Sequence, residues 1–292
     1  ITIYVFVSPK YNNIKTFTGF NLNIIGSNMS RRKTELHKHT RQRNKKNNIS
    51  GNKETLSWLY GTHTVIALLE NPSRRYSRIL TCDTSLAKRV NSNIKLLPEV
   101  KLEMVPRNTI DDILPEGAIH QGIAVLAKGL DTIKLEDVCD ILSKKNKGSV
   151  IVLDQVTDPH NIGAIIRTAA GFKVDAIIVQ DRHTPQITGV LAKSASGGLE
   201  HCPIVRITNV ARALSILKKS NIWCIGLDSE ASEKLDKIKI SGPKAIVLGA
   251  EGHGLRRLTR DACDTLACIP LSGPLKSLNV SNAAAIALYE IS

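Results

Sequence analysis

Ala245-Ile246-Val247-Leu248-Gly249-Ala250-Glu251-Gly252-His253-Gly254-Leu255 sets an apolar, β-branched run directly against a glycine-rich segment. The run reads as a buried strand, and the glycines as a loop whose backbone can approach a ligand closely. A second pairing of the same kind follows. Thr265-Leu266-Ala267-Cys268-Ile269 leads into Pro270-Leu271-Ser272-Gly273-Pro274-Leu275-Lys276-Ser277-Leu278-Asn279-Val280-Ser281-Asn282. Both loops leave the C-terminal end of a strand, which is where open α/β sheets bind ligands. They are too long and too specific to be ordinary turns, so a binding site is the first expectation.

Working outward, the pattern alternates regularly. Strands are predicted at Val150–Leu153, Ala176–Val179, Ile204–Ile207, Trp223–Leu227, Ala245–Leu248 and Leu266–Ile269. Helices are predicted near Ile162–Gly171, Thr188–Ser196, Val210–Ser220 and Ser281–Ile291. Near-continuous apolar strands separated by helices mean a mostly parallel α/β sheet covered on both faces. Upstream, shorter elements predict a small α/β domain over residues 55–128. Its strands are Trp58–Tyr60, Ser77–Thr81, Lys101–Val105 and Gly122–Leu126, and its helices lie near His63–Glu70, Ser85–Asn91 and Thr109–Leu114. Residues 129–148 read as a linker with a short helix around Glu136–Ser143, and residues 149–292 as the main domain.

Residues 1–54 are expected to form a basic tail without structure of its own. Of the +14 net charge, half comes from Arg31–Glu54, where nine basic residues face two acids. A basic, Asn-rich run with almost no apolar residues cannot fold alone, and its natural partner is a polyanion such as RNA. The first Met is Met29, immediately before this run, so translation is expected to begin there and residues 1–28 to lie outside the translated protein. Ile1–Val7 is apolar but brief and lacks a basic start, which makes it a poor signal peptide. No run of about 18 apolar residues is present to span a membrane. Cys82, Cys139, Cys202, Cys224, Cys263 and Cys268 form no C-x-x-C pair and lack zinc-ligand spacing. They read as reduced, mostly buried thiols, no metal is expected, and the cytoplasm is the expected compartment.

Phosphate-binding readings of the loops fail. Gly249 to Gly254 does not fit G-x-G-x-x-G, it comes late in the chain, and Glu251 would repel a pyrophosphate. A third segment adds to the site instead. The strand ending at Leu153 leads into Asp154-Gln155-Val156-Thr157-Asp158-Pro159-His160-Asn161-Ile162-Gly163-Ala164-Ile165-Ile166-Arg167. Asn161 is a plausible N-cap, and Arg167 falls on a helix that is otherwise small and apolar. A guanidinium there either meets an anion, lines a cleft, or makes a structural salt bridge. Helix capping is likewise the plain alternative for Asn161 and Asn279. His63, His160 and His253 sit near these segments with no partner fixed for any of them, so none is assigned as a base.

N-x-G-A-x-x-R at 161–167, L-G-A-E-G-x-G at 248–254 and I-P-L…S-L-N-V-S-N-A-A-A at 269–285 closely resemble the three motifs of the SpoU/TrmH family, RNA ribose 2′-O-methyltransferases of the SPOUT superfamily. Leu59-Tyr60-Gly61-Thr62-His63 and His120-Gln121-Gly122-Ile123 resemble signatures of the small N-terminal domain in its ribosomal RNA branch. The resemblance spans about Trp58–Ser292. It implies a deep trefoil knot in the C-terminal domain, a ribosomal protein L30e-like N-terminal domain that binds RNA, and a homodimer. It also implies S-adenosylmethionine as cofactor, gripped by the two loops.

Carried over by residue, the resemblance puts Leu248, Gly249, Gly254, Ile269 and Leu278 against the cofactor, largely through backbone. Arg167, Asn161, Glu251, Ser277 and Asn279 become the catalytic set. The matching arginine is essential in the family and is often assigned as the base. A guanidinium is already protonated and must lose a proton before it could act as a base, so a clamp on the RNA phosphate and developing alkoxide is preferred here. Asn161 would orient Arg167 or the ribose, Glu251 would fix the loop or the arginine, and Ser277 with Asn279 would position the hydroxyl. Lys193-Ser194-Ala195-Ser196-Gly197-Gly198-Leu199-Glu200 departs from the family's usual S-A-G-A, which leaves its lining role open. The expected activity is 2′-O-methylation of RNA, with 23S ribosomal RNA favoured. A transfer RNA substrate and a non-catalytic RNA-binding assembly factor are the alternatives.

Overall fold

The computed structural model describes residues 56–292, so the expected basic tail and the start at Met29 lie outside the described residues. The first elements are β1 (Leu56–Tyr60), α1 (Thr62–Glu70), β2 (Tyr76–Thr81), α2 (Thr84–Asn93), β3 (Leu102–Met104), α3 (Arg107–Ile113) and β4 (Ile123–Lys128). They form a four-stranded sheet of order β1-β4-β2-β3, in which β4 runs antiparallel to both neighbours and β2 and β3 are parallel. His120 is fully buried beneath it. Its Nε2 lies 3.0 Å from Asp111 Oδ1, and its Nδ1 accepts from the Gly122 amide at 3.1 Å, which fixes the turn into β4.

Helix α4 (Leu135–Lys145) leads to the larger sheet. There follow β5 (Ser149–Asp154), α5 (Pro159–Gly171), β6 (Ala176–Gln180), α6 (Gly189–Ala195), β7 (Ile204–Ile207), α7 (Val210–Lys219), β8 (Trp223–Leu227), β9 (Lys244–Gly249), α8 (Arg257–Ala262), β10 (Thr265–Ala267) and α9 (Val280–Ile291). The six strands are ordered β10-β8-β9-β5-β6-β7, and every pairing is parallel. Side chains alternate between two faces along each strand. Ile151, Leu153, Ile177, Val179, Ile246 and Leu248 pack with residues of α5, α6 and α9, while Val150, Val152, Ile178, Ala245 and Val247 pack with residues of α4 and α7. Both faces are therefore covered, as the apolar strand runs required.

All six predicted strands are present, but the last ends at Ala267 rather than Ile269. Beyond Ala267 the chain turns to pair with the segment after β8: the Cys268 amide donates to Glu233 O at 2.8 Å and the Leu235 amide to Cys268 O at 2.9 Å. Helix α8 and the 3₁₀ turns Gly198–Glu200 and Leu235–Lys237 were not anticipated, because elements this short carry no readable periodicity. The N-cap of α5 is Asp158, whose side chain accepts from the His160 amide, with Pro159 at the first helical position. The expected cap at Asn161 is thus corrected: proline at the first position fixes the helix start upstream and frees Asn161 for other bonds.

All six cysteines are free thiols, three buried and three half-buried. Burial pushes Cys202 and Cys263 up to about 12, which keeps both protonated. Among the described residues no helix is long and apolar enough to cross a membrane.

Candidate active site

The three motif segments converge because their strands adjoin. Strands β9 and β5 pair in register, Leu153 opposite Leu248 and Asp154 opposite Gly249, so the loops after both strands start side by side. Asp154 is buried at this point and holds the glycine-rich loop from below. Arg256 donates to it through the backbone amide at 3.2 Å and through Nε at 2.8 Å, and Nη2 pairs with Oδ1 at 2.7 Å. The loop also closes on itself, with the Gly254 amide donating to Ala250 O at 2.9 Å. A Cβ on Gly249 would lie 2.1 Å from Gly254 C and 2.4 Å from the Leu255 nitrogen, so no side chain fits at this position without moving the loop.

A cavity of about 380 Å³ lies between this loop, the end of β8 and the 269–279 segment. Leu248, Gly249, Gly254, Ile269 and Leu278 all line it, as do Glu251, Ser277 and Asn279. Leu227, Asp228 and Ser229 line it too, and these were missed in the sequence. The signal was available, since they sit at the C-terminal end of β8, where the same switch-point rule applies. The Asp228 carboxylate accepts from the Glu230 amide at 2.9 Å and pairs with Arg260 of α8.

At the rim, the motifs are tied by one polar cluster. Asn161 Nδ2 donates to Glu251 Oε1 at 2.9 Å, and Asn279 Nδ2 donates to the same oxygen at 2.7 Å and to Asn161 Oδ1 at 3.0 Å. Asn279 is also the N-cap of α9, its Oδ1 accepting from the Ser281 amide at 2.8 Å. The capping reading holds for this residue, which also lines the cavity. Ser277 lines the cavity without a hydrogen bond to the protein among the described residues.

Arg167 stands apart. It is exposed, with no hydrogen bond or ion pair among the described residues, so the structural salt bridge is not formed. Six residues of α-helix separate it from Asn161 by about 9 Å along the axis and about 120° around it. Neither Asn161 nor Glu251 hydrogen-bonds to it, which leaves the ribose for Asn161 and the loop for Glu251 among the expected alternatives. What holds Arg167 is backbone packing: a Cβ on Gly198 would lie 3.0 Å from Arg167 Cα, so the 3₁₀ turn presses directly on this point of α5.

The segment Lys193–Glu200 faces the small sheet rather than the cavity. Thr64 Oγ1 donates to Ala192 O at 3.0 Å, and Arg74 and Glu200 form an ion pair at 3.1 Å with both side chains only 2–3% exposed. Asn71 Nδ2 donates to the second Glu200 oxygen at 2.7 Å.

Comparison with known proteins agrees with this geometry. Residues 148–289 match the SpoU rRNA methylase family, and residues 58–132 match the family described as RNA 2′-O ribose methyltransferase substrate binding. The chain belongs to the SpoU methylase family. The 23S rRNA (guanosine-2′-O-)-methyltransferases RlmB of Photorhabdus laumondii and Escherichia coli K12 are each 38% identical to it over 234 residues, 80% of this chain and 96% of theirs. Among solved structures, the SpoU methyltransferase AviRb from Streptomyces viridochromogenes in complex with AdoMet superposes with a TM-score of 0.67 at 20% identity, covering 80% of this chain and 88% of its own. An AdoMet-bound rRNA methyltransferase from Sinorhizobium meliloti gives 0.64 at 22%, covering 80% and 86%. These structures share the fold.

Proposed function

We propose that this chain transfers a methyl group from S-adenosylmethionine to a ribose 2′-hydroxyl of 23S ribosomal RNA, at a guanosine as the names of its RlmB relatives state. The observation that carries the reading is the rim cluster of Asn161, Glu251 and Asn279, which joins all three motif segments at the mouth of the cavity. The cavity suits the cofactor. Leu248, Ile269 and Leu278 offer apolar walls to a purine, Asp228 and Glu251 offer carboxylates to a cationic ligand, and Gly249 leaves backbone exposed where a side chain has no room. S-adenosylmethionine held there supplies an activated methyl group.

The protein's own share is positioning and charge. In-line placement of nucleophile and electrophile contributes on the order of 7 kcal/mol in the best cases. Glu251 holds both asparagine amides, so the two loops keep their spacing. Ser277 is free to meet the incoming hydroxyl. Arg167, permanently charged and unpaired, clamps an RNA phosphate and the developing alkoxide.

The finer architecture follows the same reading. The chain leaves β9, crosses to β10 beyond β8, and returns through 269–279 to α9, which packs on α5 and β9. That path supports the trefoil knot. The small sheet is read as an L30e-like RNA-binding domain over 55–128, with 129–148 as linker and 149–292 as the methyltransferase domain. A homodimer is proposed from the family resemblance and because Arg167 is not among the residues lining its own cavity, and a ribosomal substrate implies a cytoplasmic site of action.

The test is transfer of labelled methyl from S-adenosylmethionine to an unmodified 23S ribosomal RNA transcript. Arg167→Ala should lower transfer by about 10²–10³-fold with an unchanged melting temperature. Label entering transfer RNA instead would favour that substrate. Tight RNA binding without any transfer by the wild-type protein would sink the enzyme reading in favour of an assembly factor.

A further inference from the structure

The reading above leaves unused a group of unpaired polar side chains along the seam between the small sheet and helices α5 and α6. A Cβ on Gly61, just before α1, would meet Lys193 Cγ at 3.3 Å and Gln121 Oε1 at 3.4 Å, so the Lys193 stem lies over the turn that both signatures of the small domain build. The next residue, Ser194, donates to His160 O at 2.9 Å. Four residues on from Lys193, a Cβ on Gly197 would lie 3.3 Å from His63 O, and Gly198 is the residue pressed on Arg167. The segment from Lys193 to Gly198 therefore runs against the backbone of His63, His160 and Arg167, from both parts of the chain, with Lys193 itself over the Gly61 turn. The side chains of Lys193, His63, His160 and Arg167 have no hydrogen-bond or ion-pair partner among the described residues.

The carboxylates nearby are already engaged. Glu200 is taken up by Arg74 and Asn71. Asp83, which packs on Gly122, accepts from Ser85 and Leu86. Neither Lys193 nor Arg167 has an ion-pair partner among the described residues.

We propose that this seam is the track of the RNA strand, with Lys193 contacting a phosphodiester close to the ribose that Arg167 meets. Lys193 would act as an RNA-positioning residue. The proposal rests on the methyl-transfer reading and extends it to how the substrate is seated. A lysine on a flexible stem suits a phosphate as a point charge, without sequence preference. The buried Arg74–Glu200 pair holds the two walls of the track together. Sequence specificity would then come from elsewhere on the small domain, and register on the enzyme from this seam.

Binding of an unmodified 23S ribosomal RNA transcript to the full chain is measured by fluorescence anisotropy over a range of salt concentrations, without cofactor, alongside methyl-transfer kinetics. Lys193→Gln should weaken RNA binding about tenfold and lower the salt slope of log K by about one. The loss should appear in KM for RNA, with kcat within about twofold. S-adenosylmethionine affinity and melting temperature should be unchanged. Lys193→Arg should restore binding, and Lys219→Gln, on the exposed side of α7, should change nothing. An unaltered affinity and slope in Lys193→Gln would overturn the track, as would an equal loss in Lys219→Gln. Because the binding arm needs no turnover, a wild-type protein that binds RNA but transfers no methyl would refute the reaction reading while the slope still decides the track.

Discussion

Asn279 uses both ends of its amide for different tasks. Its Oδ1 caps α9 and its Nδ2 donates to Glu251 and Asn161, so one residue sets the start of a helix and the spacing of two loops. The two tasks can be separated. Asn279→Asp keeps the capping oxygen but replaces the donor with a carboxylate oxygen beside Glu251. Methyl transfer should fall by about 10²-fold through misplacement of the rim, while thermal stability changes little, because the cap is retained. A melting temperature that drops as far as activity would assign Asn279 to folding alone. Arg167 shows the other side of residue-scale reading. The sequence left it an anion, a cleft or a structural salt bridge, and the structure leaves it without a hydrogen-bond or ion-pair partner among the described residues.

At the scale of elements, α6 and the 3₁₀ turn after it join α5 to the small sheet. Gly163 lets α5 and α6 approach closely, since a Cβ there would lie 2.4 Å from Ser194 Cβ. On the far side the turn is fastened by Arg74 and Glu200. A buried ion pair adds little net stability, but breaking one costs about 3–5 kcal/mol because the remaining charge is stranded. Glu200→Ala should therefore lower the unfolding free energy in urea by about that amount, and Arg74→Met added to it should recover part of the loss. Strictly additive losses would show that the pair does not couple the two elements. None of this was legible beforehand. Lys193–Glu200 was open in the sequence as to what it lines, because a charged residue in a short turn gives no sign of a partner more than 120 residues away.

The whole molecule presents an exposed apolar strip on α9, with Ile286 at 42% and Tyr289 at 76% exposure, and Phe172 at the end of the neighbouring α5 at 37%. Isolated exposed apolar residues are ordinary, whereas adjoining ones mark an interface. The proposed homodimer would cover them. Light scattering should give twice the chain mass, and Tyr289→Glu should shift it toward the monomer and reduce methyl transfer together. A wild-type protein that scatters as a monomer at micromolar concentration would end this proposal.

The sequence by itself determined the parallel α/β sheet, its strands, the convergence of the motif loops and the family. Those follow from near-continuous apolar strand runs separated by helical stretches, glycine placement and contiguous motifs, all of which are local. Only the tertiary structure decided that Asp158 rather than Asn161 caps α5, that Glu251 gathers both asparagines, that Asp228 reaches the cavity, and that Arg167 does not line it. Each of these depends on which side chains meet across the sheet, where strand order and helix phase set the distances and the linear chain carries no trace of them.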